Sequence, residues 1–448
     1  MILGYDRYEF GKKLNTLISP SQPIRSVEFL RGRGSELDRI EKALFAAGRN
    51  IFIYGDRGVG KSSLAATAAN IYQHSKYDYI EASGSPDATL SSIISNIALQ
   101  ATSASRINNV VSKTKLSGNF RYLSIYGETQ ISKKDIGSEI RSIQDATEVL
   151  REVASLYDGP KIVVIDEFDR LKSKEQRSLF ADLLKHLGDQ DIDIKFIITG
   201  VGNSLDELLG AHPSAIRQLE TIELPRLSWD ARWDITIKTL EHFNIDIDRI
   251  FYSRIAALSD GYPYYVHLMT EKLLWRLYER PHIVKIVERI DFTNSLRDAI
   301  ESISAELKRP YKMAILQPTS DYEVVLWSTA DSEWLYGSLG GMYESYKDIL
   351  DHIEDANKLS YDAYATRIRN LCKPKCGSIL VHTNTKGLYT YKEKMLRGYV
   401  RMQAEAHGII LCGETAGVEP SQHARVRSGT PSIKRGTKKI RTDPRGYR

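Results

Sequence analysis

The stretch GDRGVGKSS, residues 55–63, follows directly on the apolar run Ile51, Phe52, Ile53, Tyr54, and it restricts the possible folds more sharply than any other feature of the chain. A buried strand that ends in a glycine-rich loop and runs on into an alanine- and leucine-rich helix is the pattern of a phosphate-binding loop. Gly55, Gly58 and Gly60 let backbone N–H groups curl around phosphate oxygens without Cβ clashes, and Asp56, Arg57, Val59 and Ser63 complete the cradle. Lys61 is placed to reach the β- and γ-phosphates, and the Ser62 hydroxyl to ligate Mg²⁺. A helix over about 61–74 then adds its N-terminal dipole to the same site.

Four further segments read as strands: YDYIEA (77–82), KIVVID (161–166), IKFIIT (194–199) and ETIEL (220–224). Mostly apolar runs separated by helical patterns mean strands covered on both faces, hence a parallel sheet in an α/β sandwich spanning 51–227. KIVVID delivers Asp166 to a strand end, where it can hold Mg²⁺ through water, and Glu167 beside it can polarise an attacking water. FIITGVGNS sets Thr199 and Asn203 at the end of the fourth strand, to bond a γ-phosphate or orient water; helix capping by Asn203 is the alternative. An insertion over 100–146 carries Arg106, Lys113, Lys115, Arg121, Lys133 and Lys134, as a nucleic-acid contact or a solvated face. Residues 1–50 form an entry segment whose helix, SELDRIEKALFAAG, is expected to be capped by Ser35, to bury Leu37, Ile40, Ala43 and Leu44, and to stop at Gly48.

The second half reads differently. Residues 228–305 are helical throughout, the pattern of a lid, and 318–410 run helix, helix, then a hairpin turning at Asn384–Gly387, the pattern of a winged helix. In SYDAYATRIRNLCKPK, Ser360 is the expected cap and Tyr361, Tyr364, Ala365, Ile368, Leu371 and Cys372 the buried face. Thr366, Arg367, Arg369, Asn370, Lys373 and Lys375 are then outward, and the hairpin region adds His382, Lys386, Lys392, Lys394, Arg397 and Arg401. A basic exposed face on that helix fits DNA phosphates, with Arg367, Arg369, Lys373, Lys375 and Lys386 as the candidate contacts. Winged helices also serve as protein-interaction modules, and a protein partner stays open.

Charge is unevenly placed. The tail 421–448 has nine Lys and Arg against the single acid Asp443, a charge of +8, so with +5 for the whole chain the remainder is near −3. Poor in large apolar residues, the tail is expected to be disordered, either binding nucleic acid or simply solvated. Three cysteines, Cys372, Cys376 and Cys412, argue against a disulfide framework and for a reducing compartment, and they lack the ligands for a zinc site. No apolar run reaches the length of a membrane span, and the amino terminus is charged, so a cytoplasmic protein is expected.

Together these segments resemble the AAA+ ATPases, and more narrowly the origin-recognition and archaeal initiator branch with its STAND-like relatives, over about residues 26–400. FLRGRGSELDRI resembles the segment that folds over the adenine, GDRGVGKSS the Walker A loop, and IDEFDRL a Walker B with its Asp-Glu pair. GVGNSLDEL resembles the first sensor segment, with Asn203 at the sensing position, and LYTYKEKMLRGYVRMQ the wing and closing helix. The resemblance implies ATP and Mg²⁺, hydrolysis through Glu167, and a homo-oligomer when ATP is bound. Arg217 is the candidate for the finger acting on a neighbour's nucleotide, with a helix-surface ion pair as the alternative. The lid stretch DGYPYYVHLM departs from the family by lacking the arginine that many members direct at their own nucleotide, although GYP resembles the STAND-like relatives. Two functions follow as expectations: an ATP-driven DNA-binding switch, or a signalling ATPase whose third domain recognises a protein.

Overall fold

In the computed structural model the described residues are 2, 4–73, 78–102, 137–157, 161–190, 192–202, 218–319, 321–332, 334–353, 358–385 and 387–411. They fall into two units, one of Ser21–Pro225 and one that joins Met1–Pro20 to the chain from Arg226 onward. The basic residues named in the insertion, Asn203, Arg217, Lys386 and the 421–448 tail lie outside the described residues.

After helix α1 (Arg7–Leu17), which belongs to the other unit, the first unit alternates helices and strands. They are α2 (Gly34–Phe45), β1 (Asn50–Tyr54), α3 (Lys61–Tyr72), β2 (Ile80–Ser83), α4 (Leu90–Ala101), α5 (Ile143–Ser155), β3 (Lys161–Asp166), α6 (Lys174–Asp189), β4 (Ile194–Gly200) and β5 (Leu219–Glu223). The strands form one parallel sheet in the order β2-β3-β4-β1-β5. The three central strands, β1, β3 and β4, are the apolar runs read from sequence, and they are buried almost throughout, whereas β2 and β5 at the edges are partly open. Each buried Ile, Val or Phe contributes about 1.5–3 kcal/mol, which is why these runs take the middle of the sheet. Two lysines survive there because their ammonium groups find carbonyls: Lys161 donates to Asp78 and sits over the Tyr157 ring, and Lys195 donates to Ala46 at 2.6 Å.

Caps fix the helices on the sheet. Thr89 and Ser142 close capping boxes on α4 and α5, and Ser173 caps α6. On α2 the expectation fails: the helix begins at Gly34, so Ser35 lies inside the first turn with its hydroxyl on Glu36, and Arg33 occupies the cap position with its side chain directed elsewhere. Leu37, Ile40 and Ala43 are buried as the spacing predicts.

The other unit packs α1 on the lid. Phe10 stacks on Tyr278 at 4.4 Å between ring centroids and meets Trp275 edge-on, while Arg7 pairs with Glu279. The lid comprises α7 (Trp229–Glu241), α8 (Arg249–Leu258), α9 (Pro263–Glu279) and α10 (Arg289–Ser302). Between α8 and α9 the chain breaks at Asp260 and Gly261, whose φ values of 52° and 80° are left-handed, and Pro263 starts α9 at a position where its missing N–H costs nothing.

The chain continues through α11 (Ala305–Ile315), α12 (Tyr322–Ala330), β6 (Tyr336–Ser338), α13 (Leu339–Leu350), α14 (Tyr361–Leu371), β7 (Leu380–His382), β8 (Leu388–Tyr391) and α15 (Leu396–Ala406). The hairpin β7–β8 gains β6 as a third, antiparallel strand in the order β6-β8-β7. Helices with a small antiparallel sheet agree with a winged helix; three-residue β6 carried no sequence signal. On α14, Ser360 accepts from the Ala363 N–H, and Tyr364, Ala365, Ile368 and Leu371 are buried. Tyr361 is not: it lies in the first turn, 46% exposed.

Candidate nucleotide site

All five strand ends that follow the chain direction lie on one edge of the parallel sheet, where a ligand crevice forms in open α/β folds. From that edge Gly60, with φ 97°, turns the loop into α3, a conformation that a residue with a Cβ resists. Lys61 is folded back over the loop, its Nζ donating to the carbonyls of Gly55 at 3.0 Å and Asp56 at 2.8 Å. Burial lowers its pKa, and the charges of Asp169, Asp166, Asp56 and Glu167 work against that drop.

Asp166 is the centre of a hydroxyl network. Its Oδ1 accepts from Ser62 Oγ at 2.9 Å and from Thr199 Oγ1, and Thr199 Oγ1 in turn accepts the Glu167 N–H at 3.1 Å. The geometry follows from the sheet: Ile165 is paired with Ile198, so the next residues, Asp166 and Thr199, end adjacent strands side by side. Hard hydroxyl and carboxylate oxygens suit Mg²⁺, which keeps its remaining coordination for water and phosphate.

Glu167 leaves the strand with a left-handed φ of 53°. Its Oε2 accepts from Arg170 Nη1 at 2.7 Å, with both side chains about half exposed. A non-glycine residue in this region is held there by its neighbours. One of them is Gly84, whose N–H donates to the Asp166 carbonyl at 2.8 Å and at which a Cβ would fall 2.3 Å from the Glu167 carbonyl oxygen.

Gly84 and Arg33 were missed by sequence reasoning. Gly84 follows an apolar strand in EASGSPD, a signal of strand end but not of close approach to Glu167. Arg33, 3% exposed, donates to the loop carbonyl of Val59 at 3.0 Å and to that of Pro225 at 2.7 Å. Nothing in FLRGRGSEL says which of its arginines is buried. The segment before it lies along α3: the Ile24 N–H donates to Ser63 Oγ at 3.1 Å and Thr67 Oγ1 to the Ile24 carbonyl at 2.8 Å.

The basic residues of the winged helix divide. Arg369, Lys373 and Lys375 are exposed. Arg367, expected outward, instead donates to Asp321 Oδ2 at 3.1 and 2.9 Å and lies over the Tyr322 ring, because α14 packs beside α12. Arg397 and Arg401, expected among the basic residues of the wing, are 1% and 2% exposed and bind Asp260. Cys372 and Cys376 are free thiols. No helix among the described residues is long and apolar enough to cross a membrane.

Residues 30–197 match the family model of the AAA ATPase domain. Among solved structures, a Walker-type ATPase of Pyrococcus abyssi is 18% identical with a TM-score of 0.50, covering 85% of this chain and 99% of its own. Cdc6p of Pyrobaculum aerophilum is 16% identical with a TM-score of 0.41, covering 88% of this chain and 98% of its own. The Aeropyrum pernix ORC1 protein, solved in complex with DNA, is 16% identical with a TM-score of 0.39, covering 84% of this chain and 93% of its own. The first similarity bears on fold alone; the other two carry no further weight. No curated protein matches the sequence.

Proposed function

We propose that this protein is a Mg²⁺-dependent ATPase that works as a DNA-binding switch, with Glu167 as the residue that activates water. The observation that carries the reading is the network joining Ser62, Asp166, Thr199 and the Glu167 backbone at the mouth of the phosphate loop. Ser62 and Asp166 would hold Mg²⁺, which neutralises phosphate charge and polarises the transferred phosphoryl group when bound. Lys61 exchanges the carbonyls of Gly55 and Asp56 for phosphate oxygens, so its charge is supplied by breaking two hydrogen bonds already within the loop. Glu167, beside these groups yet still solvent-accessible, takes up a proton from the attacking water as its oxygen bonds the γ-phosphorus and the bond from that phosphorus to the β-phosphate oxygen breaks, with ADP as the leaving group. Thr199 bonds Asp166 and the Glu167 backbone together, so it orients the pair, and Asn203 is the proposed sensor of the γ-phosphate.

The positions Gly55–Ser63 form the proposed nucleotide cradle, and Arg217 the proposed finger toward a neighbouring copy, which makes the ATP-bound form an oligomer. DNA is assigned to the winged helix through Arg369, Lys373 and Lys375, all exposed, and to Lys386 and the basic tail. Arg367 contributes less, since Asp321 already neutralises it.

The test is ATP hydrolysis with and without duplex DNA, in the intact protein and in Glu167→Gln. The expected result is DNA-stimulated turnover that falls about 10²–10⁴-fold in the variant while ATP binding persists. Turnover that ignores DNA and responds to a protein would replace the DNA reading by a signalling one. Near-normal turnover in Glu167→Gln would remove that residue from the chemistry.

A further inference from the structure

Asp260, just past α8, gathers three arginines. Arg226 Nη1 donates to its Oδ1 at 2.6 Å and to its carbonyl at 2.9 Å. Asp260, with no exposed surface, also accepts from Arg397 Nε at 2.7 Å and Nη2 at 2.5 Å, and from Arg401 Nη1 at 3.0 Å.

Arg397 and Arg401 belong to α15, the closing helix of the winged helix, and they hold the Ser332 and Trp334 carbonyls in the segment that leads into β6. Arg401 also reaches the carbonyls of Ala257 in the lid at 3.2 Å and Ala330 in α12 at 3.0 Å. Asp260 and its arginines therefore bond the lid and the winged helix at once. The turn is tight as well: Gly261 has φ 80°, a Cβ there would lie 2.8 Å from Arg226 Cβ, and its carbonyl accepts the Leu227 N–H at 2.8 Å.

A carboxylate shared by three guanidinium groups is costly to separate from any of them, because each separation strands a buried charge. Sliding the winged helix against the lid means breaking several such bonds together.

We infer that Asp260 clamps the lid and the winged helix into one body. The winged helix then has no independent response to nucleotide.

Single-molecule energy transfer tests this in the full chain with Cys372→Ser and Cys412→Ser, where dyes on Lys285→Cys and Lys373→Cys report lid to wing. The expected efficiency is narrow and unchanged by ATP, and it broadens in Asp260→Asn, or in Arg401→Met should the first variant not fold.

A lid-to-wing efficiency that moves with ATP, or stays narrow in the clamp variants, overturns the clamp. Binding of a fluorescent ATP analogue is measured on the same samples: its absence condemns the proposed nucleotide site, and the lid-to-wing distribution in the variants still decides the clamp.

Discussion

Two aspartates define the two units, and they are built in opposite ways. Asp166 ends a strand and is held by two neutral hydroxyls, Ser62 and Thr199, whereas Asp260 sits in a left-handed turn under three guanidinium groups. Hydroxyl bonds are modest and exchangeable, about 1 kcal/mol each net, so Asp166 is free to trade them for a cation. The bonds of Asp260 are charge-assisted and enclosed, roughly twice as strong each, and their loss leaves charges with no solvent to receive them. One carboxylate is placed to change partners and the other to keep them.

The sharpest break of this comparison comes from removing each charge in turn. Asp260→Asn is expected to lower unfolding stability by about 3–5 kcal/mol in urea titrations, the usual result of orphaning buried partners. Asp166→Asn, which keeps an oxygen acceptor, should cost no more than about 1 kcal/mol of stability yet reduce Mg²⁺-dependent turnover by about 100-fold or more. Similar stability losses for the two would erase the distinction.

Acid should expose the second unit first. His267 in α9 is wholly buried, and burial lowers its pKa to about 4, so the folded state keeps it neutral while the unfolded chain protonates near its ordinary value of about 6.5. Because the folded pKa lies below the unfolded one, this contribution is present above about pH 6.5 and lost as pH falls toward 4, on the order of 3 kcal/mol. Asp260 follows at lower pH. Burial alone would raise its pKa, but the charges of Arg401 and Arg397, the Arg397 hydrogen bonds and the charge of Arg226 hold it at about 2. Its share, on the order of 2 kcal/mol, is therefore lost only between about pH 4 and pH 2. Urea midpoints between pH 7 and pH 4 should fall, and His267→Leu should flatten that fall; an unchanged slope would show His267 protonating without cost.

The smallest expected effect separates orientation from binding. Thr199→Val removes the hydroxyl between Asp166 and Glu167 while keeping the β-branched shape of its strand. Turnover should fall about 10-fold, equivalent to one oriented hydrogen bond of about 1.4 kcal/mol, with ATP affinity nearly unchanged. Equal losses in affinity and turnover would make Thr199 a packing residue.

The sequence by itself determined the sheet and the chemistry at its edge. Apolar runs long enough to bury both faces take the centre of a parallel sheet, Asp166 and Glu167 stand at the end of β3, and Lys61 and Ser62 open α3 after the loop that leaves β1, so local chain direction fixes their placement. It determined Tyr364, Ala365, Ile368 and Leu371 as the inner face of α14 for the same reason, since helical spacing is local, but not the ends of that face, where Tyr361 is exposed and Cys372 half-buried. Only the tertiary structure decided which arginines stay basic toward solvent. Arg367, Arg397 and Arg401 look like Arg369 in sequence, but Asp321 and Asp260 lie 46, 137 and 141 residues away from the partners they take. The same holds for Gly84 against Glu167 and for Arg33 against Pro225. Spacing along a chain reports which face a side chain takes; it carries no record of which distant charge or carbonyl the folded chain brings to that face.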